Sequence, residues 1–124
     1  MTRIRWGMTV AIALSLTTPA LANPADGFAA FWSAFAAAAT KDDTKALTSM
    51  VVIGPGLGDA GTSFAKLHRE YLGRAARRCL VKAKPLRDVD GQGAVTYEAF
   101  CGQIIYVFSK PGDTWKLTDL GSND

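Results

Sequence analysis

The chain carries two cysteines, Cys79 and Cys101, and their placement constrains the fold more than any other feature. The intervening segment, LVKAKPLRDVDGQGAVTYEAF, reads as two strand-like runs around Val89-Asp90-Gly91, with glycine closing a three-residue hairpin loop. That loop pairs Asp88 with Gln92 and, counting outward, brings Cys79 opposite Cys101. The same register sets Val81 against Ala99, Ala83 against Tyr97 and Pro85 against Val95 on the cysteine face, with Lys82–Glu98 and Lys84–Thr96 on the other. One face is apolar and the other charged, and a slip of one residue would mix them. A Cys79–Cys101 disulfide is therefore expected, contributing about 3 kcal/mol by chain entropy. The alternative is a pair of buried free thiols; the spacing is not that of a catalytic dithiol.

Oxidation requires a permissive compartment, and the N-terminus supplies one. Arg3 and Arg5 precede an apolar run from Met8 to Leu16, and Ala20-Leu21-Ala22 offers small residues two apart, the order of a secretory signal cut after Ala22. The run is too short for a stable membrane span, and Asn23 is not the cysteine of a lipoprotein. Removing residues 1–22 from the 124 leaves 102, with 12 basic side chains against 11 acids, a net charge of about +1. We expect residues 23–124 to form one domain, periplasmic or secreted, small enough to benefit from a covalent staple.

A second hairpin is expected in IIYVFSKPGDTWKLTDL, turning at Lys110 to Asp113 and setting Phe108 beside Trp115, Tyr106 beside Leu117 and Val107 beside Lys116. Alternation alone would put Ile104, Tyr106 and Phe108 on the face opposite Cys101, so a bulge or bend at Gly102-Gln103 must return them to the core side of a strongly curved sheet. Upstream, Phe28, Phe31, Trp32 and Phe35 recur at helical spacing, with Asn23 or Asp26 as a cap. A second helix is expected from about Asp42 to Met50, and a third from about Thr62 to Leu72 with Phe64, Leu67, His68, Tyr71 and Leu72 as its stripe. The fold class is thus α+β, with three N-terminal helices packed on a curved antiparallel sheet.

Between the second and third helices, Gly56-Leu57-Gly58-Asp59-Ala60-Gly61 matches G-x-G-x-x-G. A dinucleotide site needs a parallel strand before that turn and βα units after it. One helix and two antiparallel hairpins follow instead, and Gly54-Pro55 interrupts the run before it. The segment reads as a flexible connecting loop, able at most to rim a pocket, and no cofactor is expected.

The order of helices carrying FAAFWSAFAAAATKDDTKALTSMV, then FCG at Phe100 to Gly102, then YVFSKPGDTWKLTDL, resembles small exported bacterial proteins of the cystatin-like, nuclear-transport-factor-like α+β cone superfamily. The resemblance spans nearly all of residues 26–120. It implies a cone-shaped fold; because that superfamily holds isomerases and dehydratases beside non-catalytic binding domains, it implies no single activity.

Two classes of function follow. His68 is the only histidine and shares a stripe with Tyr71, so His68, Tyr71 and Tyr97 are the candidates for acid–base work in a pocket enzyme of isomerase or lyase type. Against it, Asp42 and Asp43 read as caps, and no nucleophile or transition-metal set is apparent. The charge distribution favours binding: residues 66–87 hold eight basic side chains against Glu70 alone. Within them Arg74, Arg77 and Arg78, near Lys82 and Lys84 on the polar sheet face, form an expected anion-facing patch, for a small ligand or an anionic component of the cell envelope. The patch lacks interleaved aromatics for base stacking, so nucleic acid is not an expected partner. The expectation is an exported, non-catalytic binding or accessory domain, with the small enzyme as its alternative.

Overall fold

The computed structural model describes residues 26–123, so the expected leader, its cleavage point and an Asn23 cap lie outside the described residues. Within them, four α-helices precede four strands: α1 Phe28–Lys41, α2 Thr44–Ser49, α3 Phe64–Tyr71, α4 Arg74–Lys82, then β1 Leu86–Val89, β2 Val95–Cys101, β3 Ile104–Ser109 and β4 Lys116–Ser122. The strands form one antiparallel sheet in the order β1-β2-β3-β4, and the helices pack on it. The α+β class is as expected, but the helix count is four rather than three.

Helix ends follow side-chain chemistry. The Asp26 carboxylate accepts from the Phe28 N–H at 2.9 Å at the start of α1. Asp43 and Ser63 cap α2 and α3, accepting from the N–H groups of Ala46 and Lys66, each at 3.1 Å. Asp42 does not cap α2. It closes α1 in the left-handed conformation at φ 53°, its N–H directed at the carbonyls of Ala38 and Ala39.

The fourth helix corrects the first hairpin. Residues 79–82 are helical, so Cys79 meets Cys101 from α4 across to β2, at a Cα–Cα distance of 5.8 Å, not from a neighbouring strand. The disulfide is present, but the register drawn from it is not. The pairs Val81–Ala99, Ala83–Tyr97, Pro85–Val95, Lys82–Glu98 and Lys84–Thr96 give way to Leu86–Glu98, Arg87–Tyr97, Asp88–Thr96 and Val89–Val95. The apolar/polar alternation of Val81-Lys82-Ala83-Lys84-Pro85 imitates a strand, but its first two residues extend a run opened by RAARR, whose residues are strong helix formers. The turn lies at Asp90–Ala94, where the Asp90 carboxylate accepts from the N–H groups of Gln92 (2.8 Å) and Ala94 (2.9 Å). The inward face of β2 is as expected, because alternation along the strand does not depend on its partner: Tyr97 and Ala99 are buried.

Gly102 and Gln103 are the two-residue loop of the β2–β3 hairpin, with Gly102 at φ 65° as the first position of such a turn requires. Cys101 pairs with Ile104, Ala99 with Tyr106 and Tyr97 with Phe108, which brings Tyr106 and Phe108 to the core side as expected. In β3–β4 the expected pairs shift: Phe108 faces Leu117, Tyr106 faces Leu120 and Val107 faces Asp119, across a bulge at Val107/Phe108. Trp115 precedes β4 and is buried edge-on against Phe28 and Tyr97, with centroids 5.2 and 5.3 Å away.

The core joins the two layers. Phe35, Leu47, Leu67, Leu72 and Leu80 from the helices are fully buried with Ala99, Phe108 and Leu117 from the sheet. Phe28 stacks on Tyr97 with ring centroids 3.7 Å apart. β4 is flanked by Val51, which bridges to Leu117 in parallel; on the other side, β1 is an open edge.

The glycine-rich segment is not an open loop. Pro55–Thr62 winds in 3₁₀ turns with Leu57, Ala60 and Gly61 buried, and it packs on β4. A Cβ on Gly56 would overlap the Thr118 carbonyl and the Asp119 carboxylate, and one on Gly61 would overlap the Gly54 carbonyl. These glycines serve close backbone packing.

Candidate functional site: a basic cavity between α1 and α4

The C-terminal turn of α1 and one face of α4 border an open cavity of about 360 Å³, lined by Lys41, Asp42, Arg74, Arg77 and Arg78 with Ala39, Thr40 and Val81. Its charge arises from helical spacing: on α4, Arg74 and Arg78 stand four apart and share a face, with Arg77 beside them. Lys41 belongs to the last turn of α1, where a cation complements the helix dipole. Among the described residues, Lys41, Arg74 and Arg78 make no ion pair.

Arg77 has a different role. Its Nε donates to the Ala39 carbonyl at 3.0 Å and one terminal nitrogen to the Leu72 carbonyl at 2.8 Å, tying the ends of α1 and α3 to α4. Its side chain is only 16% exposed, and the same terminal nitrogen lies 3.5 Å from Asp42. Asp42 also meets the His68 Nε2 at 2.8 Å, so the one acid in the cavity wall has two basic partners. The hydrogen bond with His68 is the main reason that its carboxyl sits below the usual carboxylate range; partial desolvation opposes this and the Arg77 charge adds to it.

The structure thus gathers Arg74, Arg77 and Arg78 of the expected patch and adds Lys41. Lys82 and Lys84 are exposed on α4 and on the connector to β1, not on a sheet face, and neither lines this cavity. Lys41 was legible only as a helix-terminal cation, since no local pattern joins it to residues more than thirty positions later.

His68, Tyr71 and Tyr97 do not converge. His68 is half-buried between Asp42 and the Phe64 ring, 5.7 Å away, and is not part of the cavity lining. Tyr71 accepts the Tyr106 hydroxyl on its main-chain carbonyl at 2.6 Å, and its side chain borders a separate hollow beside the disulfide. The Tyr97 hydroxyl donates to Asp26 at 2.6 Å. Burial first, then the Asp26 carboxylate, pushes the Tyr97 phenol up to about 12. For Asp26, desolvation is the largest influence and works against ionisation. The hydrogen bonds from Tyr97, the Phe28 N–H and Arg87, with the Arg87 charge, together outweigh it and hold the carboxyl below its ordinary value. The Trp115 indole N–H completes this clasp by donating to the Asp26 carbonyl at 2.6 Å.

Among the described residues, no group of three or more His, Cys, Asp or Glu is placed to hold a metal ion, and no helix is long and apolar enough to cross a membrane. Fold and site together define a disulfide-bonded α+β domain with a basic cavity at a helix junction. Comparison of the chain with protein-family models, curated proteins and solved structures gives no match.

Proposed function

We propose that the chain is an exported, non-catalytic binding or accessory domain that receives an anionic group, from a small ligand or an envelope component, in the cavity between α1 and α4. The observation that carries this reading is the convergence of Lys41, Arg74 and Arg78, without ion pairs among the described residues, on one concavity whose single acid is already engaged by His68 and Arg77. Three cations around one hollow leave a positive field that an anion would neutralise. Kinship with the cystatin-like cone domains belongs to the same proposal and draws support from the helix-on-sheet arrangement.

A second reading, a small pocket enzyme, rests on the His68–Asp42 hydrogen bond, since a carboxylate can orient an imidazole for proton transfer. One experiment separates the two. Oxidised protein spanning residues 23–124 is titrated with pyrophosphate and, separately, mixed with vesicles of anionic or zwitterionic lipid. Binding that weakens at least tenfold in Arg74→Gln/Arg78→Gln, falls with added salt and survives His68→Ala supports the binding module. Loss of every ligand response in His68→Ala, with the double arginine variant unaffected, overturns it in favour of the enzyme.

A further inference from the structure

The least covered part of the sheet is β1, whose four residues are all exposed, Leu86 at 60% and Val89 at 48%. The rings of α1 lie instead over Tyr97 of β2 and Phe108 of β3. The uncovered margin between α1 and β1 is a groove of about 550 Å³, within the usual range of small-molecule sites. Phe28, Trp32 and Tyr97 contribute its aromatic lining, Ala83 and Pro85 an aliphatic wall, Leu86 borders it from β1, and Lys84 and Arg87 are its cations.

The two cations decide what suits the groove. Lys84 makes no ion pair among the described residues, while Arg87 is paired with Asp26 through Nε at 3.6 Å. No acid lines the groove. A wholly apolar occupant would leave Lys84 unanswered, and a compact anion would leave the aromatic surface wet. A second copy pairing edge to edge through β1 is disfavoured: a two-fold axis that keeps both sheet faces continuous and pairs three residues of β1 places either Arg87 against Arg87 or Asp88 against Asp88, and like charges directly opposite are destabilising.

We propose that this groove binds a single-chain amphiphile, its hydrocarbon tail against Phe28, Trp32 and Pro85 and its anionic head at Lys84 and Arg87. The site is separate from the basic cavity and does not depend on that reading.

The test uses dodecanoate, octanoate and dodecyl maltoside, each below its aggregation concentration, with oxidised protein spanning residues 23–124. This span holds two tryptophans, Trp32 and Trp115, whose indole N–H signals are followed by NMR. Dodecanoate is expected to move the Trp32 signal saturably, and octanoate to bind at least tenfold more weakly for want of four methylenes. The uncharged maltoside should bind at least fivefold more weakly than dodecanoate, and Lys84→Gln should reduce that preference. Ala29→Glu, an exposed α1 position on the groove, should weaken dodecanoate at least tenfold, with an unmoved Trp115 signal reporting an intact fold. Arg74→Gln/Arg78→Gln should leave this binding unchanged. The proposal is overturned by the absence of saturation, by equal affinity for the charged and uncharged chains, by indifference to chain length, or by full dodecanoate affinity in a folded Ala29→Glu protein.

Discussion

Replacing Tyr97 by Phe isolates one hydrogen bond in the clasp that docks the start of α1 on the sheet. The Tyr97 ring is 5% exposed and stacks on Phe28, with centroids 3.7 Å apart, contacts that phenylalanine keeps. What disappears is a 2.6 Å bond to a carboxylate. Hydrogen bonds to charged groups are worth roughly 1.5–3 kcal/mol, and the lower end applies because Asp26 retains the Phe28 N–H and Arg87. A loss of about 1.5 kcal/mol lowers the melting temperature of a domain this size by roughly 8 °C. The pH dependence follows from both partners. Asp26 is held below its ordinary value, so its contribution is complete above about pH 4 and is lost as pH falls through the lower folded value. Tyr97 is raised from 10.0 to about 12, so its contribution is complete below pH 10 and is lost as pH rises toward 12. Circular-dichroism melts of Tyr97→Phe and the parent at pH 7, at pH 2 and across the alkaline range measure all three effects. The difference should be largest at pH 7, shrink at pH 2, and come with a shallower alkaline decline in the variant. A change below 2 °C at pH 7, or an equal loss at pH 2, would refute the clasp.

Three further perturbations test the fold around the site. Reduction of Cys79–Cys101, closing a sequence separation of 22, should cost about 3 kcal/mol by chain entropy, read as a shift of the urea midpoint with and without reductant. Arg77→Ala removes the donor serving the Ala39 and Leu72 carbonyls and should cost about 2–3 kcal/mol, whereas the exposed Arg78→Ala should stay within about 0.5 kcal/mol; equal effects in chemical denaturation would contradict the division of labour. Gly56→Ala forces a Cβ against Thr118 and Asp119, while the same change at Gly112 meets nothing within 4 Å, so the first should lose about 2 kcal/mol or more in thermal melts and the second little.

Local periodicity determined much of this protein. The spacing of Phe28, Phe31, Trp32 and Phe35 marks α1, and the alternation in β2 assigns Tyr97 and Ala99 to the interior whatever strand lies alongside, because side-chain direction depends on parity alone. The cysteine pairing was legible too, although for a geometry the molecule does not use: a disulfide needs two Cα atoms at the right distance, and a helix crossing a strand end satisfies that as well as two neighbouring strands. Tertiary structure decided the rest. The run from Cys79 to Ala83 is ambiguous by itself and becomes helix where Leu80 is buried in the core. Strand registers followed from the capped turn at Asp90 and the bulge at Val107/Phe108, neither of which an alternation pattern encodes. The basic cavity exists only because packing α1 against α4 places Lys41 beside Arg74 and Arg78 and diverts Arg77 to main-chain carbonyls. Periodicity is a property of neighbours along the chain; which cations share a hollow, and which are consumed in holding it open, depends on contacts between distant segments that form only when the core closes.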